Sequence, residues 1–157
     1  MNKKYIAVIG SGSCGEDARD AAYRAGKAIG QAGAVLVCGG LGGVMDAAAK
    51  GAAAAGGMSV GILPEQNRLG ASRHLTIAIP TDLGELRNAL IVRAADAVVS
   101  ICGEYGTLSE IGFALKLGKP VFGFNTWELG KKGEPDTGIT VAETPEEAVS
   151  LALDAAV

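Results

Sequence analysis

The sequence predicts a single Rossmann-like, three-layer α/β domain with a mostly parallel sheet. Three observations predict it: short apolar runs recur along the chain, glycine-bearing turns close most of them, and stretches with helical spacing of small apolar residues follow. Parallel neighbours require crossover connections, and this alternation supplies them. At 157 residues the chain can bury one self-sufficient core, and residues 1–157 contain no linker, repeat or composition shift that would mark a second domain.

Residues 5–9 form an apolar run ending at Gly10, and residues 17–31 place Ala21, Ala22, Ala25, Ala28 and Ile29 at helical intervals. Residues 35–38 predict a second buried strand closed by Gly39 and Gly40. An alanine-rich helix from about Val44 to Ala55 follows, ended by Gly56 and Gly57. Residues 58–63 predict a third strand stopped by Pro64; residues 65–74 are polar and predict a loop, a candidate lid, before a fourth strand at 75–79. Thr81 or Asp82 is expected to cap a helix through about Arg93, followed by a strand at 97–101 and a helix over 106–117 that Gly118 ends. A strand at 121–124, a charged loop over 127–138 and a short strand at 140–142 lead to a last helix, with Thr144 as N-cap and Pro145 at its first position.

A net charge of −3 without a Lys/Arg block gives no electrostatic footprint for a nucleic-acid backbone, and three Tyr, three Phe and one Trp offer few base-stacking platforms. No apolar run approaches the ~20 residues that span a bilayer, and the run at residues 5–9 is too short for a signal-peptide core. A cytoplasmic protein with no membrane and no nucleic-acid partner is therefore expected. Cys14, Cys38 and Cys102 are odd in number and widely spaced, which predicts buried free thiols rather than disulfides or a metal site.

In open parallel sheets ligands sit at the carboxyl ends of the strands. The first such turn, Gly10-Ser11-Gly12-Ser13-Cys14-Gly15, matches GxGxxG, but no carboxylate follows the second strand to hold a ribose, which disfavours an NAD-type dehydrogenase. The second turn carries Gly39, Gly40, Gly42 and Gly43 ahead of Met45, where bare backbone would let an anion approach a helix start; the Lys-Ser/Thr of a P-loop is missing. The third turn, from Cys102 through Gly103, Glu104, Tyr105, Gly106 and Thr107 to Glu110, is the sharpest. A phosphate there would meet backbone N–H groups and the Thr107 hydroxyl, with Glu110 one turn on, reaching a sugar. Arg87, beside Asn88, is placed to clamp a phosphate or to pair with Glu110. His74, the single histidine, has no Ser or Cys partner in evidence for a nucleophilic triad.

These motifs resemble the Lonely Guy-like (SLOG) superfamily, often mislabelled lysine decarboxylase, whose hallmark is Pro-Gly-Gly-x-Gly-Thr-x-x-Glu with an upstream Arg-Lys pair. Residues 102–110 match it with Cys102 in place of Pro and Glu104 in place of the second Gly; Arg87-Asn88 stands for Arg-Lys, and the segments 39–45 and 61–64 are similar too. The resemblance runs from about residue 5 to 125 and implies one of two functions. The branch of molybdenum-cofactor carriers binds a phosphorylated pterin without chemistry; Asn88 and Glu104 favour it, with the molybdenum cofactor as cargo and no resident cofactor. The Lonely Guy enzymes hydrolyse nucleoside 5'-monophosphates to base and ribose 5-phosphate, a reading kept open by Arg87, which would orient the nucleotide, and Glu110, which would stabilise the ribosyl centre or activate water. No lysine has a pyridoxal-phosphate context, which removes the decarboxylase label. The resemblance also implies a homodimer or homotetramer, for which the alanine-rich helices would leave apolar surface.

Overall fold

Runs of Val, Ile, Leu and Ala without alternation need burial on both faces, and strands so composed belong in the middle of a covered parallel sheet. The computed structural model, which describes residues 2–157, places them there. Its strands are β1 (Tyr5–Ile9), β2 (Val35–Cys38), β3 (Met58–Leu63), β4 (Ile77–Pro80), β5 (Ala97–Ile101), β6 (Val121–Phe124), β7 (Leu129–Lys131), β8 (Glu134–Asp136) and β9 (Ile139–Val141). The helices are α1 (Glu16–Gln31), α2 (Val44–Ala54), α3 (Asn88–Ala94), α4 (Tyr105–Lys116) and α5 (Pro145–Ala155). Seven strands form one parallel sheet in the order β4-β3-β2-β1-β5-β6-β9, while β7 and β8 form a separate antiparallel hairpin. The three-layer α/β prediction holds. Among the described residues no helix is long and apolar enough to cross a membrane.

The sheet divides the core in two. One half joins α1, α2 and α5 to the sheet through residues such as Ala22, Ile29, Ala48 and Val149; the other joins α3 and α4 through Ile91, Val92, Ile111 and Ala114. α1 and α2 touch backbone to backbone: a Cβ on Gly26 would lie 1.9 Å from the Ala48 carbonyl oxygen, and one on Gly51 would lie 2.0 Å from that of Tyr23. Ala48, Ala49 and Ala52 of α2 are wholly buried against this seam, while Ala53 and Ala54 at its end are exposed.

Four local expectations are corrected. β4 begins at Ile77 rather than Leu75, because Leu75 donates its N–H to Ser72 O in a turn and packs its side chain over Gly61. The helix expected from Thr81 or Asp82 is split: Asp82 takes φ 55°, Gly84–Arg87 forms one 3-10 turn, and α3 starts only at Asn88. Residues 127–138 are not all loop, since Lys132 and Gly133 both have positive φ and close β7 onto β8 in the turn that matches strand twist. β9 starts one residue earlier, at Ile139. Thr144 caps α5 as expected, accepting the Glu147 N–H at 3.0 Å.

The chain steps from β1 outward to β4 and then returns to place β5 on the other side of β1. At that switch the connections leaving β1 and β5 diverge, and a crevice opens at their carboxyl ends.

Candidate functional site

The crevice is an open cleft of ≈ 820 Å³. Its floor is the end of β1; one wall is the start of α4, and the other is formed by Gly39, Leu41 and Met45 after β2 together with the 3-10 turn and Asn88. Of the residues singled out in the sequence, Gly10, Ser11, Gly12, Gly39, Met45, Arg87 and Asn88 line it. Glu104, Tyr105, Gly106, Thr107 and Glu110 complete that set on the α4 side.

Gly40, Gly42, Gly43 and Gly103 do not line the cleft, and the reason is packing. A Cβ on Gly43 would lie 2.3 Å from Ser11 O, one on Gly40 would lie 2.6 Å from the Leu63 side chain, and one on Gly103 would lie 2.5 Å from Thr107. All three also have positive φ. Gly42 faces Gly12 O, where a Cβ would be 3.1 Å away. These glycines let the three turns nest against one another: the Val44 N–H donates to Ser11 O at 3.0 Å and locks the first turn to the second. Met45 packs in the same seam, its sulfur 2.6 Å from where a Gly39 Cβ would sit.

Arg87 is a brace as well as a wall. Its Nε–H donates to Ile62 O at 2.9 Å, one terminal nitrogen donates to Gly39 O at 3.4 Å, and the other donates to Asn88 Oδ1. Three of its five N–H groups are therefore committed, and it joins the ends of β2 and β3. It forms no ion pair with Glu110 among the described residues. Burial pushes the guanidinium below its ordinary pKa, against the pull of Glu110. Asn88 continues the chain of contacts, donating to Ser109 Oγ at 3.1 Å, and Ser109 donates to Gly106 O at 2.6 Å. Ser109 lines the cleft and was not among the expected residues; its carbonyl bond three residues back along the helix is the one local signal that could have found it.

The start of α4 is the open part of the site. Glu104 stands at the N-cap in extended conformation, but its side chain caps nothing, so the first N–H groups of the helix point out uncapped. Thr107 is 3% and Glu110 7% exposed. Glu110 is thus not a solvated first-turn carboxylate: among the described residues it accepts no hydrogen bond, it lines the cleft, and it is pushed by burial up to about 8, with Arg87 pulling the other way. Burial therefore favours its protonated form, which can donate as well as accept.

Outside the cleft, Cys38 is buried and its thiol is pushed up to about 12 by that burial. Cys14 and Cys102 are only half-buried, against the expectation of burial for all three. Cys102 also has φ 51°, a conformation no proline could take at this position of the turn. The 65–74 segment is anchored at Ser72, which donates to Asp46 at 2.6 Å through its hydroxyl and to Gly40 O at 2.8 Å through its N–H, while residues 65–70 are exposed. Glu65 alone of that segment lines the cleft, and His74 does not reach it. No cluster of metal-ligating side chains is present among the described residues.

Residues 3–149 match the SLOG cluster4 family. A protein of Archaeoglobus fulgidus is 45% identical over 157 residues, covering 100% of this chain and 99% of the relative. Among solved structures, the molybdenum cofactor binding protein of the phototrophic bacterium Rippkaea orientalis is 33% identical with a TM-score of 0.89, covering 98% of each chain. The molybdenum cofactor carrier protein of Chlamydomonas reinhardtii is 29% identical with a TM-score of 0.83, again over 98% of each.

Proposed function

For this chain, which belongs to the SLOG cluster4 family, we propose a role as a carrier that binds a phosphorylated pterin of the molybdenum-cofactor type in the β1/β5 cleft. The observation that carries the reading is the uncapped start of α4, facing the cleft over a buried Thr107. Helix N–H groups without a side-chain cap, reinforced by the helix dipole, form an anion site without needing a cation. That matters here, because three of the five N–H groups of Arg87 are already committed to Ile62 O, Gly39 O and Asn88 Oδ1. Gly106 and Gly12 give a phosphate room, with no atom within 4 Å of a Gly106 Cβ position and only the Met45 methyl, at 3.5 Å, near that of Gly12. A neutral Glu110 would hydrogen-bond the ligand without repelling its phosphate. The likeness to structures whose proteins bind or carry the molybdenum cofactor supports the same ligand class.

The test is to incubate the purified protein with molybdenum cofactor released from a molybdoenzyme, separate it by gel filtration, and measure co-eluting pterin and its transfer to a cofactor-free molybdoenzyme. Stoichiometric co-elution and transfer are expected; pterin appearing only in the small-molecule fraction would sink the reading.

One observation favours a second reading. A carboxyl raised to about 8 beside a phosphate site suits proton donation to a leaving base, as N-glycosidic hydrolysis requires. A protonated Glu110 is, however, unsuited to the other roles implied for it, charge stabilisation or water activation. Release of adenine from AMP, abolished by Glu110→Gln, would establish hydrolysis; no release at high protein concentration leaves the carrier reading.

A further inference from the structure

Tyr105, the first residue of α4, lines the cleft and yet is 78% exposed. A lone exposed tyrosine calls for no explanation. This one is braced. Its ring centroid lies 5.7 Å from that of Trp127, with the planes tilted by 35°, within the range over which aromatic pairs attract. Trp127 is half-buried and packs against the core under α3 and α4. Its indole N–H donates to Glu104 O at 3.2 Å, the carbonyl of the α4 N-cap. The neighbouring Thr126 hydroxyl donates to Cys102 O at 2.6 Å. The segment entering the β7–β8 hairpin is therefore pinned at two points onto the turn that opens the phosphate site.

This brace supports one flank of the Tyr105 ring and leaves most of the residue open at the cleft. Aromatic rings need two torsions fixed before they can stack, and a neighbour that has already fixed them lowers the ordering cost of binding. A planar heterocycle has a π-face to offer whatever its edge groups are, so stacking supplies affinity for ring systems as a class.

We infer that Tyr105, held in place by Trp127, is the stacking platform for the planar heteroaromatic ring of the ligand at the cleft. This inference rests on the reading of the α4 start as the phosphate site. Tyr105 touches the ring; Trp127 is a positioning residue that acts through Tyr105.

Two probes separate the two layers of the argument. Ribose 5-phosphate carries a phosphate without an aromatic ring; GMP adds a planar ring system whose aminopyrimidinone edge is shared with pterins. Both are titrated by calorimetry, with the emission of Trp127, the single tryptophan, followed in parallel. GMP is expected to bind on the order of ten- to a hundred-fold tighter than ribose 5-phosphate and to change Trp127 emission. Tyr105→Ala should bring that ratio close to one, Tyr105→Phe should keep it, and Trp127→Leu should lower it to an intermediate value. Equal affinities for the two probes in the unaltered protein would overturn the platform while leaving the phosphate site standing. A ratio that survives Tyr105→Ala would also overturn it, since the ring would then lie elsewhere. Binding of neither probe would overturn the phosphate site and the platform together.

Discussion

The turn after β2 and the turn after β5 read alike in the sequence: each is glycine-rich, follows a buried strand and opens a helix. They are built for different purposes. In the β2 turn a Cβ at Gly39, Gly40 or Gly43 would strike Arg87, Leu63 or Ser11, so those glycines are occupied by protein. In the β5 turn only Gly103 is so confined; Gly106 has nothing within 4 Å, and the helix that begins beside it is uncapped. Glycine content marks a close approach of backbone, and only the surroundings say whether the approaching group is the protein or a ligand.

The largest expected effect that could break this comparison is at the β2 turn. Gly43→Ala adds a Cβ 2.3 Å from Ser11 O at a residue with φ 59°, and should cost about 4 kcal/mol in urea unfolding. A loss below about 1 kcal/mol would mean the turns are not nested as described.

Next is Arg87→Ala, which strands the carbonyls of Ile62 and Gly39. It should cost about 3 kcal/mol, with Arg87→Lys recovering little because a single ammonium cannot serve the fork. Unchanged stability with lost ligand binding would instead make Arg87 a phosphate clamp.

Glu110→Gln tests the other wall through pH. The folded pKa, about 8, lies above the ordinary 4.5 because burial disfavours the charged form. The unfolded chain therefore gives up this proton first as pH rises. Stability associated with Glu110 is full below about pH 4.5 and is lost progressively up to about pH 8. At pH 9 the Gln variant should be more stable than the parent by about 2 kcal/mol, allowing for water reaching the carboxyl from the cleft, with no such gain at pH 4. Thermal melts at the two pH values decide it, and a gain of equal size at both would point to packing rather than to charge.

Gly106→Ala is the smallest and the sharpest. In open space and at a helical position it should raise stability by about 0.5–1 kcal/mol, while crowding the phosphate and weakening ribose 5-phosphate binding. A stabilised variant with full binding would move the phosphate away from this helix start.

Most of the fold could be read in advance because its signals are local. β1, β2, β3, β5 and β6 fall where their apolar runs stop, and Thr144-Pro145 opens α5 as its capping chemistry requires. The misreadings share a cause. β4 yielded Leu75 to a contact with Gly61, fourteen residues away, and the β7–β8 hairpin was hidden because Lys132 takes a positive φ usually given to Asn or Gly. The candidate site was legible as a set of turns, and twelve of the residues named from sequence do line the cleft. Trp127 stayed out of view because it acts from a different segment, across 23 residues.

By itself, then, the sequence determined the layers, the sheet's parallel character and the strand ends at which a ligand would sit, since each follows from periodicity and turn chemistry within a dozen neighbours. The tertiary structure decided which glycines are filled by protein, that Arg87 braces backbone carbonyls, that Glu110 is buried where its neutral form is favoured, and that an aromatic pair flanks the opening. Each of those depends on groups brought together from distant parts of the chain, and burial and close contact are properties of the folded neighbourhood rather than of the residue.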